Sequence, residues 1–186
     1  MGRMEETKIM DYIYHYDSAI GGITLASDGR SLIGLWFDGQ KYFASTIGEE
    51  ITEGTSMVFN DTIRWLDIYF NGKDPGFVPP ISMRTTQFRK EVWEIMMSIP
   101  FGQTMTYGEI ANIIAKRRGL SRMSAQAVGG AVGHNAISLI IPCHRVIGTN
   151  GSLTGYAGGI DKKVKLLTME KADMAHFFVP KKGNVL

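Results

Sequence analysis

The chain has 186 residues, 44% of them apolar, with one cysteine, four histidines and a net charge of +2. That length allows one or two small domains with an ordinary core. A single cysteine excludes an internal disulfide, and with four scattered histidines it leaves no obvious zinc site, so no metal or cofactor is expected. No apolar run approaches the ~20 residues of a membrane span. The start, from Met1 to Glu6, lacks the apolar stretch of a secretory signal. A reducing, cytoplasmic setting is expected. The net charge conceals an asymmetry: residues 1–83 carry 6 Lys/Arg against 12 Asp/Glu (net −6), and residues 84–186 carry 14 against 6 (net +8). An acidic half joined to a basic half points to a polyanionic partner for the second half. Charge by itself is better served by separately solvated lysines.

Residues 10–16, 20–26 and 31–38 predict three short strands, with turn chemistry at Asp17-Ser18 and Ser27-Asp28-Gly29-Arg30. Ile63, Leu66 and Phe70, spaced by three and four, predict a helix from Phe59 to Phe70 that Asn71-Gly72-Lys73-Asp74-Pro75-Gly76 ends. Val78-Pro79-Pro80 reads as a linker between an α+β domain over 1–82 and a second domain over 83–186. Asp11, Asp17, Asp28 and Asp38 allow a metal-dependent nuclease reading, but most fall where solvated turns are expected.

In the second half, Phe88, Val92, Ile95 and Met96 form the apolar stripe of a helix over Thr86–Ser98, stopped by Pro100 and Gly102. Thr106 predicts the N-cap of a helix from Tyr107 to Arg117, with Ile110, Ile113 and Ile114 inward and Arg117-Arg118-Gly119 as its stop. Ser124 caps a second helix, Ala125 to Gly133, and the pair reads as a helix-turn-helix. Gly129-Gly130 within it is unusual, since glycine costs about 1 kcal/mol relative to alanine in a helix interior. Small residues there permit either close helix packing or close approach of an outside partner.

The most informative residue is Cys143, in the run Ile140-Ile141-Pro142-Cys143-His144-Arg145-Val146-Ile147. A thiol becomes a strong nucleophile only as the thiolate, and a neighbouring base or cation brings that about. The plainer alternative is a small buried hydrophobe. The residues on both sides decide the matter. Pro142 to Val146, with Phe88, Val92, Trp93, Ile99-Pro100-Phe101-Gly102, Thr106-Tyr107-Gly108-Glu109-Ile110-Ala111, Ala127 to Ala131, Asn135, Tyr156, Gly158, Gly159 and Glu170, resembles the O6-alkylguanine-DNA alkyltransferases. The resemblance covers about residues 88–170 and is much weaker before residue 80.

The resemblance implies a ribonuclease-H-like small sheet plus helix as an N-terminal scaffold, and a C-terminal winged helix-turn-helix domain. It implies repair by transfer of an alkyl group from O6-alkylguanine, or O4-alkylthymine, to Cys143, once per molecule and without a cofactor. The damaged nucleotide must leave the stack before a side chain can reach it. By resemblance His144 takes the thiol proton through a water, Glu170 orients the imidazole, Tyr107 presses on the target phosphate, and Asn135 is a hinge. Pro142, Tyr156, Ala157, Gly158 and Trp93 are expected at the pocket. Thr106, Arg122, Gln126, Ala127, Gly129 and Gly130 are expected on the DNA side, with the second helix in the minor groove of a duplex. Arg145 is expected to be structural or phosphate-facing, and the protein to act as a monomer.

Three positions depart from the family pattern. Gln126 stands where an arginine usually fills the gap left by the rotated base, Ala136 where proline is usual, and Ala157 where serine is common. Two other functions are open to such a sequence: a lesion-binding protein without transfer activity, which the presence of Cys143 opposes and Gln126 and Ala157 favour, and a Cys-His hydrolase, for which nothing points to an oxyanion hole or peptide groove.

Overall fold

The computed structural model describes residues 10–181; the reading of Met1 to Glu6 lies outside them. Strands β1 (Asp11–Ser18), β2 (Gly21–Ser27) and β3 (Leu32–Phe37) form an antiparallel meander, and β4 (Ile51–Glu53) adds in parallel beside β1, giving the order β3-β2-β1-β4. Helix α1 (Met57–Phe70) packs on this sheet with Phe59, Leu66 and Tyr69 buried. The short β4, Ile-Thr-Glu with only Thr52 half-buried, offers no alternation long enough to be read from sequence.

The second half holds α2 (Gln87–Met97), β5 (Met105–Thr106), α3 (Tyr107–Arg118), α4 (Ala125–Gly133), a 3₁₀ turn at Cys143–Arg145, β6 (Val146–Ile147) and α5 (Ile160–Met169). The capping signals act as expected. Thr106 and Glu109 form a capping box, with Glu109 N donating to Thr106 Oγ1 at 3.1 Å and Thr106 N to Glu109 Oε2 at 2.7 Å. Gly119 closes α3 at φ 64°, and Ser124 accepts from Ala127 N at 3.2 Å to start α4. Helix α5 was not anticipated: its buried face includes Lys163, which breaks the apolar stripe.

The two halves share one continuous apolar core. Strand β3 is buried along its whole length because its outer edge is covered by the second half. Leu35 N donates to Ala136 O (2.8 Å) and Ser138 N to Leu35 O (2.9 Å), so the segment leading to Cys143 is tied to the edge of β3 by an isolated parallel bridge at Leu35 and Ile137. Asp11 is buried and forms a forked ion pair with Arg84, at 2.8 and 2.9 Å. Asp38 accepts from Thr24, and Asp28 caps its own turn. Among the described residues no cluster of metal-ligating side chains exists, and no helix is long and apolar enough to cross a membrane.

Candidate active site

The chain reaches Cys143 through a tightly tied loop. Asn135, at the end of α4, donates to Ile141 O at 2.7 Å and accepts from Ile137 N at 3.0 Å, joining α4 to the cysteine loop by its side chain. Leu139, buried, takes φ 69°, a costly conformation for a branched residue. Cys143 is 3% exposed, and burial pushes its thiol pKa up, with the Asn135 amide and the Lys163 charge opposing the rise. Lys163 is itself fully buried. Its ammonium donates to Val146 O (2.6 Å) and Thr154 O (3.0 Å), and burial brings its pKa down to about 8.

His144 and Glu170 form the centre of a buried network. His144 Nε2 lies 2.6 Å from Glu170 Oε1, which assigns the Nε2–H tautomer and leaves Nδ1, with no protein partner among the described residues, as the basic lone pair. Arg145 grips the same carboxylate, Nε to Oε2 at 2.8 Å and Nη2 to Oε1 at 3.0 Å, and sends Nη1 to Ile99 O at 2.7 Å. Gly102 N donates to Oε2 at 3.0 Å; its φ of 76° and the 2.7 Å at which a Cβ would meet Glu170 O both require glycine. Tyr69, from α1, donates to Oε1 at 2.7 Å. Burial disfavours the charge on Glu170, but the bonds from His144 and Arg145 outweigh it and hold the carboxyl well below the usual range. Burial lowers the His144 pKa more than Glu170 raises it. Because Arg145 alone neutralises the carboxylate, an ionised Glu170 beside a neutral imidazole is the consistent resting state.

Above this network lies a cavity of about 310 Å³, lined by Tyr107, Gly129, Gly130, Gly133, His134, Gly155, Tyr156 and Ala157, and by Lys41 and Tyr42 of the first half. Cys143 is not in its lining. It is close enough to Tyr107 and Tyr156 that a thiolate there would raise their pKa, though burial is the larger cause of the rise in both. Tyr107 donates to Thr154 O at 3.2 Å. Gly158 packs so closely that a Cβ would meet Tyr156 Cε1 at 2.8 Å. Lys41 N donates to Ala157 O (3.1 Å), and the Tyr42 ring stacks on His134 with centroids 4.0 Å apart.

Comparison with known proteins agrees with this organisation. Residues 87–172 match the profile of the 6-O-methylguanine DNA methyltransferase DNA binding domain, and residues 12–82 that of the ribonuclease-like domain of the same enzymes. The chain belongs to the 6-O-methylguanine DNA methyltransferase family. It is 42% identical over 161 residues to a methylated-DNA–protein-cysteine methyltransferase of Mycobacterium tuberculosis, an alignment covering 85% of this chain and 93% of the relative. It is 39% identical over 160 residues to one of Methanosarcina acetivorans (86% and 97%). The crystal structure of Mycobacterium tuberculosis OGT in complex with DNA superposes with a TM-score of 0.73 at 39% identity, covering 88% of this chain and 93% of that one.

Set against the methyltransferase pattern, the predicted residues fall into three groups. Cys143, His144, Glu170 and Asn135 lie together, with Pro142 buried at the head of the turn, while Tyr107, Tyr156, Ala157, Gly129 and Gly130 line the cavity. Gln126, Ala127 and Arg122 are exposed at the start of α4 and the turn before it, while the Thr106 hydroxyl is engaged in its capping box. Two expectations are corrected. Trp93 does not line the pocket: it is 1% exposed, and its indole donates to Ala131 O at 2.9 Å, fixing α4 from behind. Arg145 does not face phosphate: it is 8% exposed and fully engaged with Glu170 and Ile99. Sequence reading missed Tyr69, Lys163, Lys41, Tyr42 and His134. None stands in a local pattern that marks it, since each reaches the site through contacts across the chain.

Proposed function

We propose that the chain is a methylated-DNA–protein-cysteine methyltransferase whose alkyl acceptor is Cys143. The observation that carries this reading is a buried thiol followed directly by an imidazole whose Nε2 is committed to a buried carboxylate, leaving Nδ1 to accept a proton. Cys143 Sγ attacks the alkyl carbon in line. The S–C bond forms as the C–O6 bond breaks, the thiol proton passes to His144, and the guanine departs with the bonding pair and is reprotonated. The imidazolium is stabilised by Glu170, as in other nucleophile–base–carboxylate arrangements. The thioether has no leaving group, so each molecule acts once. The cavity between Tyr107, Tyr156 and Ala157 receives the rotated base.

The DNA is held by the basic second half, with α4 laid into the minor groove. Gly130 supports this placement: a Cβ there meets nothing within 4 Å, and at Gly129 it would meet only Tyr107 at an ordinary 3.9 Å. Internal packing therefore does not demand the glycine pair, and approach of an outside surface accounts for it. Minor-groove contact reads little sequence, which suits a lesion found in any context. The protein acts as a monomer in the reducing cytoplasm.

The test is intact-mass and peptide mass spectrometry after incubation with duplex DNA holding O6-methylguanine. One methyl mass on the peptide containing Cys143 is expected, and none with Cys143→Ser, which still binds DNA through phosphate contacts. Binding without mass gain by the wild type would favour a lesion-marking protein. Turnover of an ester or peptide would favour a hydrolase.

A further inference from the structure

Glu170 carries more donors than it needs. A carboxylate offers about four acceptor sites, and five donors converge on this one: His144 Nε2, Arg145 Nη2 and Tyr69 Oη on Oε1, Arg145 Nε and Gly102 N on Oε2. Four would satisfy it without Tyr69. That tyrosine also comes from the first half of the chain, 101 residues before the carboxylate. Its ring is locked. It stacks on Trp65 (centroids 5.0 Å, 11°) and meets Phe101 and Phe70 edge-on at 6.0 and 5.5 Å. The hydroxyl is thereby set 3.2 Å from His144 Nε2, competing with the imidazole N–H for the same oxygen.

We propose that Tyr69 is a positioning residue for the alkyl-transfer site, through which the N-terminal domain sets both the orientation of Glu170 and the strength of its pull on His144. The inference rests on the reading of His144 as the base for Cys143. A hydroxyl that donates to Oε1 draws off part of the negative charge facing the imidazole. Without it, Glu170 stabilises the imidazolium more strongly and His144 holds a proton to higher pH. The other groups around His144 are the Arg145 guanidinium beside it in the chain, the Lys163 ammonium from α5 and the Cys143 thiol; the Tyr156 hydroxyl faces Glu170 and Cys143. The two cations favour the neutral imidazole, and Glu170 alone opposes them. Tyr69 is the neutral donor that tempers that opposition at Oε1, the oxygen facing His144, while Gly102 N sits on Oε2. The first domain, expected to be a scaffold, supplies part of the reaction centre.

The test is Tyr69→Phe in the full chain, which keeps the ring and its packing. Single-turnover alkyl transfer is followed against pH, and the His144 ring is titrated by NMR of labelled histidine, assigned with His144→Gln. The acid limb of the rate profile and the His144 titration should both move up by about half a pH unit or more, with DNA affinity unchanged. A lower rate with both midpoints unmoved would show a packing role only and would overturn the proposal. The titration needs no alkyl transfer. A shifted His144 in a protein that transfers nothing would therefore sustain Tyr69 as its tuner while removing the proposed reaction.

Discussion

Arg145 decides between two uses of a cation in a DNA-repair protein, and its replacement separates them. In Arg145→Met the guanidinium is lost while much of the side-chain volume remains. The Glu170 carboxylate, fully buried, keeps Gly102, Tyr69 and His144 but loses the guanidinium charge paired with it, and Ile99 O loses its donor. Removing one partner of a buried ion pair costs about 3–5 kcal/mol. At roughly 2–4 °C per kcal/mol for a chain of this size, Tm should fall by about 6–20 °C. The folded pKa of Glu170 lies below its unfolded value, so its stabilisation is complete above the unfolded value of about 4.3 and is lost as pH falls toward the folded one. The Tm gap between wild type and variant should therefore narrow in acid. Calorimetry across pH measures this, and DNA titration across salt supplies the second arm. The slope of log K against log salt should not change. An unaltered Tm with a salt slope smaller by about 1 would mean a phosphate contact and would refute the buried-pair reasoning.

Gln126 is exposed at the start of α4, so Gln126→Arg should leave Tm alone and raise the duplex repair rate several-fold, about 1 kcal/mol of stacking and charge, without changing reaction with free O6-alkylguanine; equal duplex rates would show the glutamine to be adequate. Gly130→Ala should stabilise the fold by about 1 kcal/mol, because the added methyl meets nothing within 4 Å, yet weaken DNA binding. A gain in both, measured by thermal melts and fluorescence anisotropy, would remove α4 from the DNA interface. Because burial raises the Cys143 pKa, its reaction with a small haloacetamide should remain slow at pH 7 and accelerate only above the ordinary thiol range near 8.5, whereas rapid labelling at pH 7 would mean a resting thiolate.

Much of the frame was legible in the sequence because its signals are local. Thr106 with Glu109, Ser124 with Ala127, and Gly119 at the end of α3 each act within a few residues, and the helix-turn-helix they bound came out within a residue of prediction. The three strands followed from short apolar runs and turn residues in the same way, and their meander from the family resemblance. What escaped was set by distant contacts. Strand β4 is three residues long and depends on β1 for its existence. Lys163 reads as one more solvated lysine in Asp161-Lys162-Lys163-Val164-Lys165, and only the turn of α5 shows it to be the one turned inward. Arg145 lies in a basic half, so its sequence left a structural and a phosphate-facing role both open; the carboxylate that claims it lies 25 residues later. Trp93 was expected at the pocket and is instead a buried brace, which sequence does not show because its partner is a backbone carbonyl on another helix.

The resting state of the site follows from these same distant contacts. A thiolate kept ready would be spent on any passing electrophile, and a nucleophile used once cannot be recovered after such a loss. Burial of Cys143 holds the thiol in its protonated form, and pairing of Glu170 with Arg145 keeps the adjacent imidazole neutral. On the proposed reading, neither group is charged while the cavity is empty of base. With a base in place His144 Nδ1 can accept the proton, and the Lys163 ammonium stands close enough to favour the thiolate formed. In the proposed reaction, activation follows occupancy by the substrate. It depends on residues from both halves of the chain: Tyr69 on the carboxylate, Lys41 and Tyr42 at the cavity wall, and β3, whose edge fixes the segment that carries Cys143.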